Sequence, residues 1–228
     1  MAISILQSNF ASGTTPSLSV SFGSSVTTGS TVIMVGGAGT SAGFGIAMYA
    51  TVSGSSTQVG NTQRPFSQTA ANGNYWAAWT RTTTSNDNGT YTLTNGNGSI
   101  AENIWIYEVA GLDLTTIPPV YVVNNAIGSN TTSTSATLTT TASKEMFLCG
   151  GFWAQGGNMT PTTVSSPLVY TQFTTARSAM ATAVVASSAS SYAPTFNWTS
   201  ARTTASFVLA LYGEVKASST LMMTGMGA

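Results

Sequence analysis

The chain has 228 residues and is almost without charge: six lysines and arginines, six aspartates and glutamates, and no histidine. Its 39 threonines and 31 serines must therefore cover most of the surface with hydroxyl groups. This balance excludes a nucleic-acid binder, which needs clustered cations to neutralise phosphates. The missing histidine excludes serine–histidine–acid catalysis and imidazole metal sites.

Low charge does not mean disorder here, because 42% of the chain is hydrophobic and aromatics are spread throughout. The opening MAISILQSNF has neither the basic start nor the apolar run of a secretory signal, and no window reaches the ~18 apolar residues of a membrane span. The expected setting is a reducing cytoplasm, in keeping with the lone Cys149 in EMFLCGG, read as a small buried hydrophobe.

In chain order, SLSVSF alternates Leu18, Val20 and Phe22 with serines, as a half-buried strand does. TVIMVGG is apolar on both faces and ends in Gly36 and Gly37. FGIAMYATV follows, and then NYWAAWTRT, which alternates Tyr75, Ala77 and Trp79 with Trp76, Ala78 and Thr80. SNDNG is a turn, since asparagine, aspartate and glycine tolerate positive φ. TYTLT leads through NGNGS into ENIWIYEVAGL, the most informative stretch of the chain. There Ile104 and Ile106 fall on one face of a strand, and Trp105, Tyr107 and Val109 on the other. A strand apolar on both faces belongs in mid-sheet with cover on each side, and Gly111 should end it.

Asp113 to Asn130, with Pro118 and Pro119, reads as a crossing, after which the order recurs. TSATLTT answers SLSVSF, EMFLCGGFW answers TVIMVGG, PLVYTQF and SAMATAVVA supply middle strands, PTFNW answers TYTLT, and SFVLALYGE closes. The expected fold is all-β: one antiparallel, jelly-roll-like sandwich over residues 1–216, built from two pseudo-repeated halves of about 1–113 and 130–216. Residues 217–228 form an extended tail, whose Leu221, Met222, Met223 and Met226 are candidate contacts for a neighbouring subunit or a capsid.

Chemistry has few places to reside. The six carboxylates are Asp87, Glu102, Glu108, Asp113, Glu145 and Glu214. Glu108 shares a face with Ile104 and Ile106, and a pair of carboxylates is the minimum for glycoside hydrolysis. The simpler reading is a strand-end carboxylate held by an arginine or a backbone amide. Asp87 reads as a turn residue, because NDNG lacks the other acidic positions of a calcium loop. Tyr75, Trp76 and Trp79 could stack on sugar rings, against a core role for at least two of them. No catalytic residue, metal or cofactor is expected, and the chain is not read as an enzyme.

The lead segment SLSVSFGSSVTTGSTVIMVGG, the strand NYWAAWTRT, the pair TYTLTNGNGSIAENIWIYEVAGL and the ending TFNWTSARTTASFVLALYG together resemble a β-sandwich found in tailed-bacteriophage virion proteins and related bacterial surface proteins. One departure stands out: SGSSTQVGNTQ replaces the aspartate-containing turn usual after the third strand. The resemblance implies a virion component made in the host cytoplasm, first of all a capsid decoration (cement) protein. Its partners would be the major capsid protein or other virion proteins and further copies of itself, with a trimer as the working stoichiometry. The alternative is a tail or fibre module that recognises a host surface glycan. Neither involves nucleic acid or a membrane.

Overall fold

The computed structural model describes residues 2–39, 48–52, 68–69, 74–95, 101–113, 120–134, 138–139, 145–153, 161–164, 169–173, 178–185, 191–192 and 195–213. These form strands and their connections, with no helix among the described residues. The strands are β1 (Ser4–Gly13), β2 (Ser17–Ser21), β3 (Thr31–Gly39), β4 (Met48–Val52), β5 (Gln68–Thr69), β6 (Asn74–Thr82), β7 (Thr90–Asn95) and β8 (Ala101–Ala110). They continue with β9 (Val120–Thr134), β10 (Leu138–Thr139), β11 (Glu145–Trp153), β12 (Pro161–Val164), β13 (Val169–Phe173), β14 (Ser178–Val185), β15 (Ser191–Tyr192) and β16 (Thr195–Tyr212).

All pairings are antiparallel. One sheet runs β1-β8-β3-β6-β5, and a smaller one runs β2-β7-β4. Between them β1 pairs with β8, β2 with β7 and β3 with β6, so the strand numbers of each pair add to nine. That is the signature of a long hairpin rolled up on itself, the jelly roll. Among the later strands several pairings recur with eight added to each number: β14 and β16 flank β11, β13 pairs with β14, β9 with β16 and β10 with β15. β12 departs, pairing with β16 where β4 pairs with β7. In register, too, the sheets agree. Thr31 faces both Thr82 and Val109, and Glu145 faces both Val185 and Tyr212, a spacing of 27 residues in each (82 to 109, 185 to 212).

Two cores give the layers their order. Val32, Met34, Trp79, Ile104 and Ile106 of the five-stranded sheet meet Val20, Tyr91 and Leu93 of the small sheet, with Phe22 beside them. On its other face, Ile33, Val35, Ala78, Trp105, Tyr107 and Val109 meet Met146, Leu148, Leu209 and Leu211 of the six-stranded sheet. The five-stranded sheet is therefore a middle layer, and β8 is buried from both sides as its double alternation requires. At the strand ends Leu112 bridges Gly213 and the Asp113 amide donates to the Tyr212 carbonyl at 2.9 Å, which ties the close of β8 to the close of β16.

Two glycines permit this closeness. A Cβ on Gly36 would lie 2.8 Å from the Leu93 methyls, so the sheets pack where β3 has no side chain. Gly111 ends β8 with φ +79°, and a Cβ there would meet the Ala2 carbonyl oxygen at 2.5 Å. Both the conformation and the approach of the N-terminal segment demand glycine.

Three expectations need correction. β1 was not expected as a strand, because Leu6 and Phe10 are its exposed residues while polar Gln7 and Asn9 turn inward. The crossing expected over Asp113 to Asn130 is shorter, since β9 already begins at Val120, ten residues before the anticipated second half. PTFNW and SFVLALYGE, expected as separate strands, are one continuous strand, β16, whose register with β9 shifts around Arg202. A chain can pass from one layer to the next by bending at such a shift rather than by breaking. Residues 40–47, which include the start of FGIAMYATV, and the tail 217–228 lie outside the described residues.

Trp105 is fully buried between the middle and six-stranded sheets. Its replacement by alanine is expected to cost about 3–5 kcal/mol in a denaturant titration. A loss below about 1 kcal/mol would contradict a packed interface at that face.

Candidate functional site

The polar groups of the first jelly roll gather at one end, where β2 runs into β3, β6 into β7, and β8 finishes. Sequence alone placed Glu108 on the face of Ile104 and Ile106; the structure buries it to 1% exposure. One carboxylate oxygen accepts from the Thr27 amide at 2.6 Å and the Ser30 hydroxyl at 2.8 Å, and the other from the Gln7 side-chain amide at 2.5 Å. Burial opposes the charged form, but these donors outweigh it and hold the Glu108 pKa below its ordinary value. An ionised carboxylate without solvent contact has no proton to give a leaving group and no open face for substrate. The arrangement matches the simpler reading of this residue, a carboxylate held by a backbone amide.

What the carboxylate does is join three segments far apart in sequence. Gln7 belongs to β1, Thr27 and Ser30 to the β2–β3 connection, and Glu108 to β8. Gln7 goes further: its amide donates to the Ser24 carbonyl at 3.2 Å and accepts from the Ser24 hydroxyl at 3.0 Å. Asn9 donates to the Ser21 carbonyl at 2.7 Å. These two amides fasten β1, at one margin of the large sheet, to β2 at the margin of the small one. Among the described residues this side of the sandwich is closed by side chains and not by a further strand.

Asp87 sits in the β6–β7 turn as its sequence suggests. Its carboxylate accepts from the Thr84 amide at 2.6 Å and pairs with the Arg81 guanidinium at 3.0 Å. Gly89, two residues on, has φ +72°, the left-handed backbone that the turn needs. Tyr91 lies beneath, its ring meeting Phe22 edge-on at 5.6 Å between centroids. Its hydroxyl is buried without a hydrogen-bond partner. Burial first, and then the charge of Asp87, push its pKa up, so it stays neutral. No group of three or more His, Cys, Asp or Glu side chains able to hold a metal occurs among the described residues.

Of the residues singled out as ligand contacts, Trp79 is 3% exposed and belongs to the core between the two sheets of the first jelly roll. It offers no ring face to a sugar, because Met34 opposite it in the sheet and the small sheet above consume that face. Tyr75 and Trp76 lie on β6, but their side chains are outside the described residues, as are Leu221, Met222, Met223 and Met226. Cys149 is fully buried, and burial pushes its thiol pKa well above the ordinary value, as expected of a small core residue.

The feature that sequence reasoning missed is on the outer face of the small sheet. Ser19 meets Thr92 and Ser21 meets Thr90, each at 2.7 Å between hydroxyl oxygens, and Ser17 meets Thr94 at 3.4 Å. The alternation was legible in SLSVS and TYTLT, but the register that sets hydroxyl against hydroxyl was not. The result is an uncharged ladder, half-satisfied by itself, with hydrogen-bonding capacity left over. Comparison with protein-family models, with curated proteins and with solved structures gives no match.

The Glu108 cluster makes a signed prediction. Its lowered folded-state pKa means its contribution to stability is present above the unfolded pKa, near 4.5, and is lost as pH falls through the folded value. Unfolding free energy should thus decline on acidification below about pH 4.5, and Glu108→Gln should flatten part of that decline. At neutral pH, Glu108→Gln should itself cost about 2–4 kcal/mol, since an amide brings a donor against donors. Tyr91→Phe, by contrast, should leave stability unchanged or raise it, because it removes a hydroxyl with no partner.

Proposed function

We propose that this chain is a structural protein of a tailed-bacteriophage virion, a capsid decoration protein that holds its neighbours through shape and neutral hydrogen bonds. The viral part of the reading rests on the sequence resemblance. Its contact chemistry is supported by the hydroxyl ladder, an exposed sheet face without a single charge. A face of this kind binds by many weak, short-range contacts, which become strong when many copies act at once. It does not depend on ion pairs, which salt would weaken. The jelly roll suits the same task, as capsid and lectin modules share it, although the fold alone assigns no role.

Three further observations favour a structural part over a reaction. Glu108, the most promising carboxylate in the sequence, is spent on holding strands together. Asp87 is spent on a turn and an ion pair. Trp79, one of three candidate stacking aromatics, is spent on the core. The glycan-binding alternative loses that ring and retains Tyr75 and Trp76.

Electron microscopy of particles carrying labelled protein tests this reading. Hundreds of copies spread over the head are expected, retained after a wash in high sodium chloride because ion pairs contribute little. A handful of copies at a tail tip would replace decoration by receptor recognition, and absence from particles would sink both.

A further inference from the structure

The turn between β6 and β7 brings a side-chain carbonyl and a main-chain nitrogen together at Asn88 and Gly89. Asn88 is exposed, and its Oδ1 accepts from the Thr90 amide at 3.1 Å. That is an Asx turn, in which side-chain atoms take the place of a β-turn's first peptide group. The closure folds Cγ of Asn88 back over the intervening peptide, whose nitrogen belongs to Gly89. Glycine at this position has no side chain to shield that nitrogen. Gly89 is itself buried, and its carbonyl accepts from the Phe22 amide at 2.9 Å, so the peptide is held in place. The neighbouring Asp87 has its charge matched by Arg81 at 3.0 Å.

We propose that Asn88 is a self-modifying site, at which the Gly89 nitrogen attacks the Asn88 side chain and converts it to an acid. A bond forms from the Gly89 nitrogen to Cγ, and the bond from Cγ to Nδ2 breaks. The proton lost by the Gly89 nitrogen, carried by solvent, leaves with Nδ2 as ammonia, and a cyclic imide remains. Water then opens the imide at either carbonyl, giving aspartate or, with the main chain rerouted through Cγ, isoaspartate. Thr90 assists the first step, because its amide donates to Oδ1, the atom on which negative charge develops during the attack. Holding the two groups together removes much of the entropic cost of their meeting. Either product adds one negative charge to a chain whose formal net charge is zero. Isoaspartate also inserts a methylene ahead of Gly89, which draws its carbonyl from the Phe22 amide and loosens β7 against β2. This chemistry belongs to the chain itself and does not rest on the virion reading.

The full chain, held folded in mildly alkaline buffer and sampled by isoelectric focusing and fragmentation mass spectrometry, tests this. The expected result is a species one charge more acidic, with the amide-to-acid mass change at Asn88 and isoaspartate detected there by enzymatic methylation. Asn88→Gln should abolish that product, because a longer side chain must close a larger ring. The chain has three other Asn–Gly pairs, at Asn72, Asn95 and Asn97, which supply an internal comparison. In concentrated urea all of these pairs should react alike, and Asn88 should react more slowly there than in the folded chain, since the turn that positions it is gone. Asn88 left intact in the folded chain, or reacting faster in urea, would overturn the proposal, because the turn would then guard the pair and not prime it.

Discussion

β8 carries Trp105 and Tyr107 into one core and Ile104 and Ile106 into the other, and the strands around it make that double burial tolerable. A strand without a wet face can satisfy its backbone only through neighbours on both sides, which β1 and β3 supply. Its faces need one cover each, which the small sheet and the six-stranded sheet supply. The polar residues at its ends must then find partners within the protein, and Glu108 is the clearest case.

The Glu108 carboxylate shows how a nearly neutral protein handles a buried charge. Among the groups that hydrogen-bond it there is no cation; three neutral donors share the work. A buried ion pair would cost two desolvations, while a carboxylate among amides and hydroxyls costs one and gains charge-assisted hydrogen bonds. The donors come from β1 and from the β2–β3 connection, so solvating this charge also fixes the chain that closes the sandwich. Gln7 and Asn9 extend that closure along β1, while Leu6 and Phe10 stay outside.

The same economy shapes the surface. With twelve formal charges in 228 residues, solubility and contact must both be managed by hydroxyls. The serine–threonine ladder satisfies itself across strands, which restrains nonspecific sticking, yet keeps enough hydrogen-bonding capacity to meet another neutral face. Such a surface gives up long-range steering and gains indifference to ionic strength.

Local pattern alone determined the all-β class, the turn at Asp87 and Gly89, and the two-faced burial of β8, because side-chain period and turn chemistry are local properties. It also located Gly111 as the end of β8. β1 stayed hidden because its pattern is inverted, with leucine and phenylalanine outside and amides inside, and periodicity cannot say which face a tertiary partner will cover. Glu108 was legible as a strand-end carboxylate, but its partners Thr27 and Gln7 lie 81 and 101 residues away. Of Tyr75, Trp76 and Trp79 the alternation left open which would join the core, and only the small sheet packed above Trp79 settled its burial. Only the tertiary structure could decide these points, since each turns on which surfaces meet, and that depends on how the sheets stack.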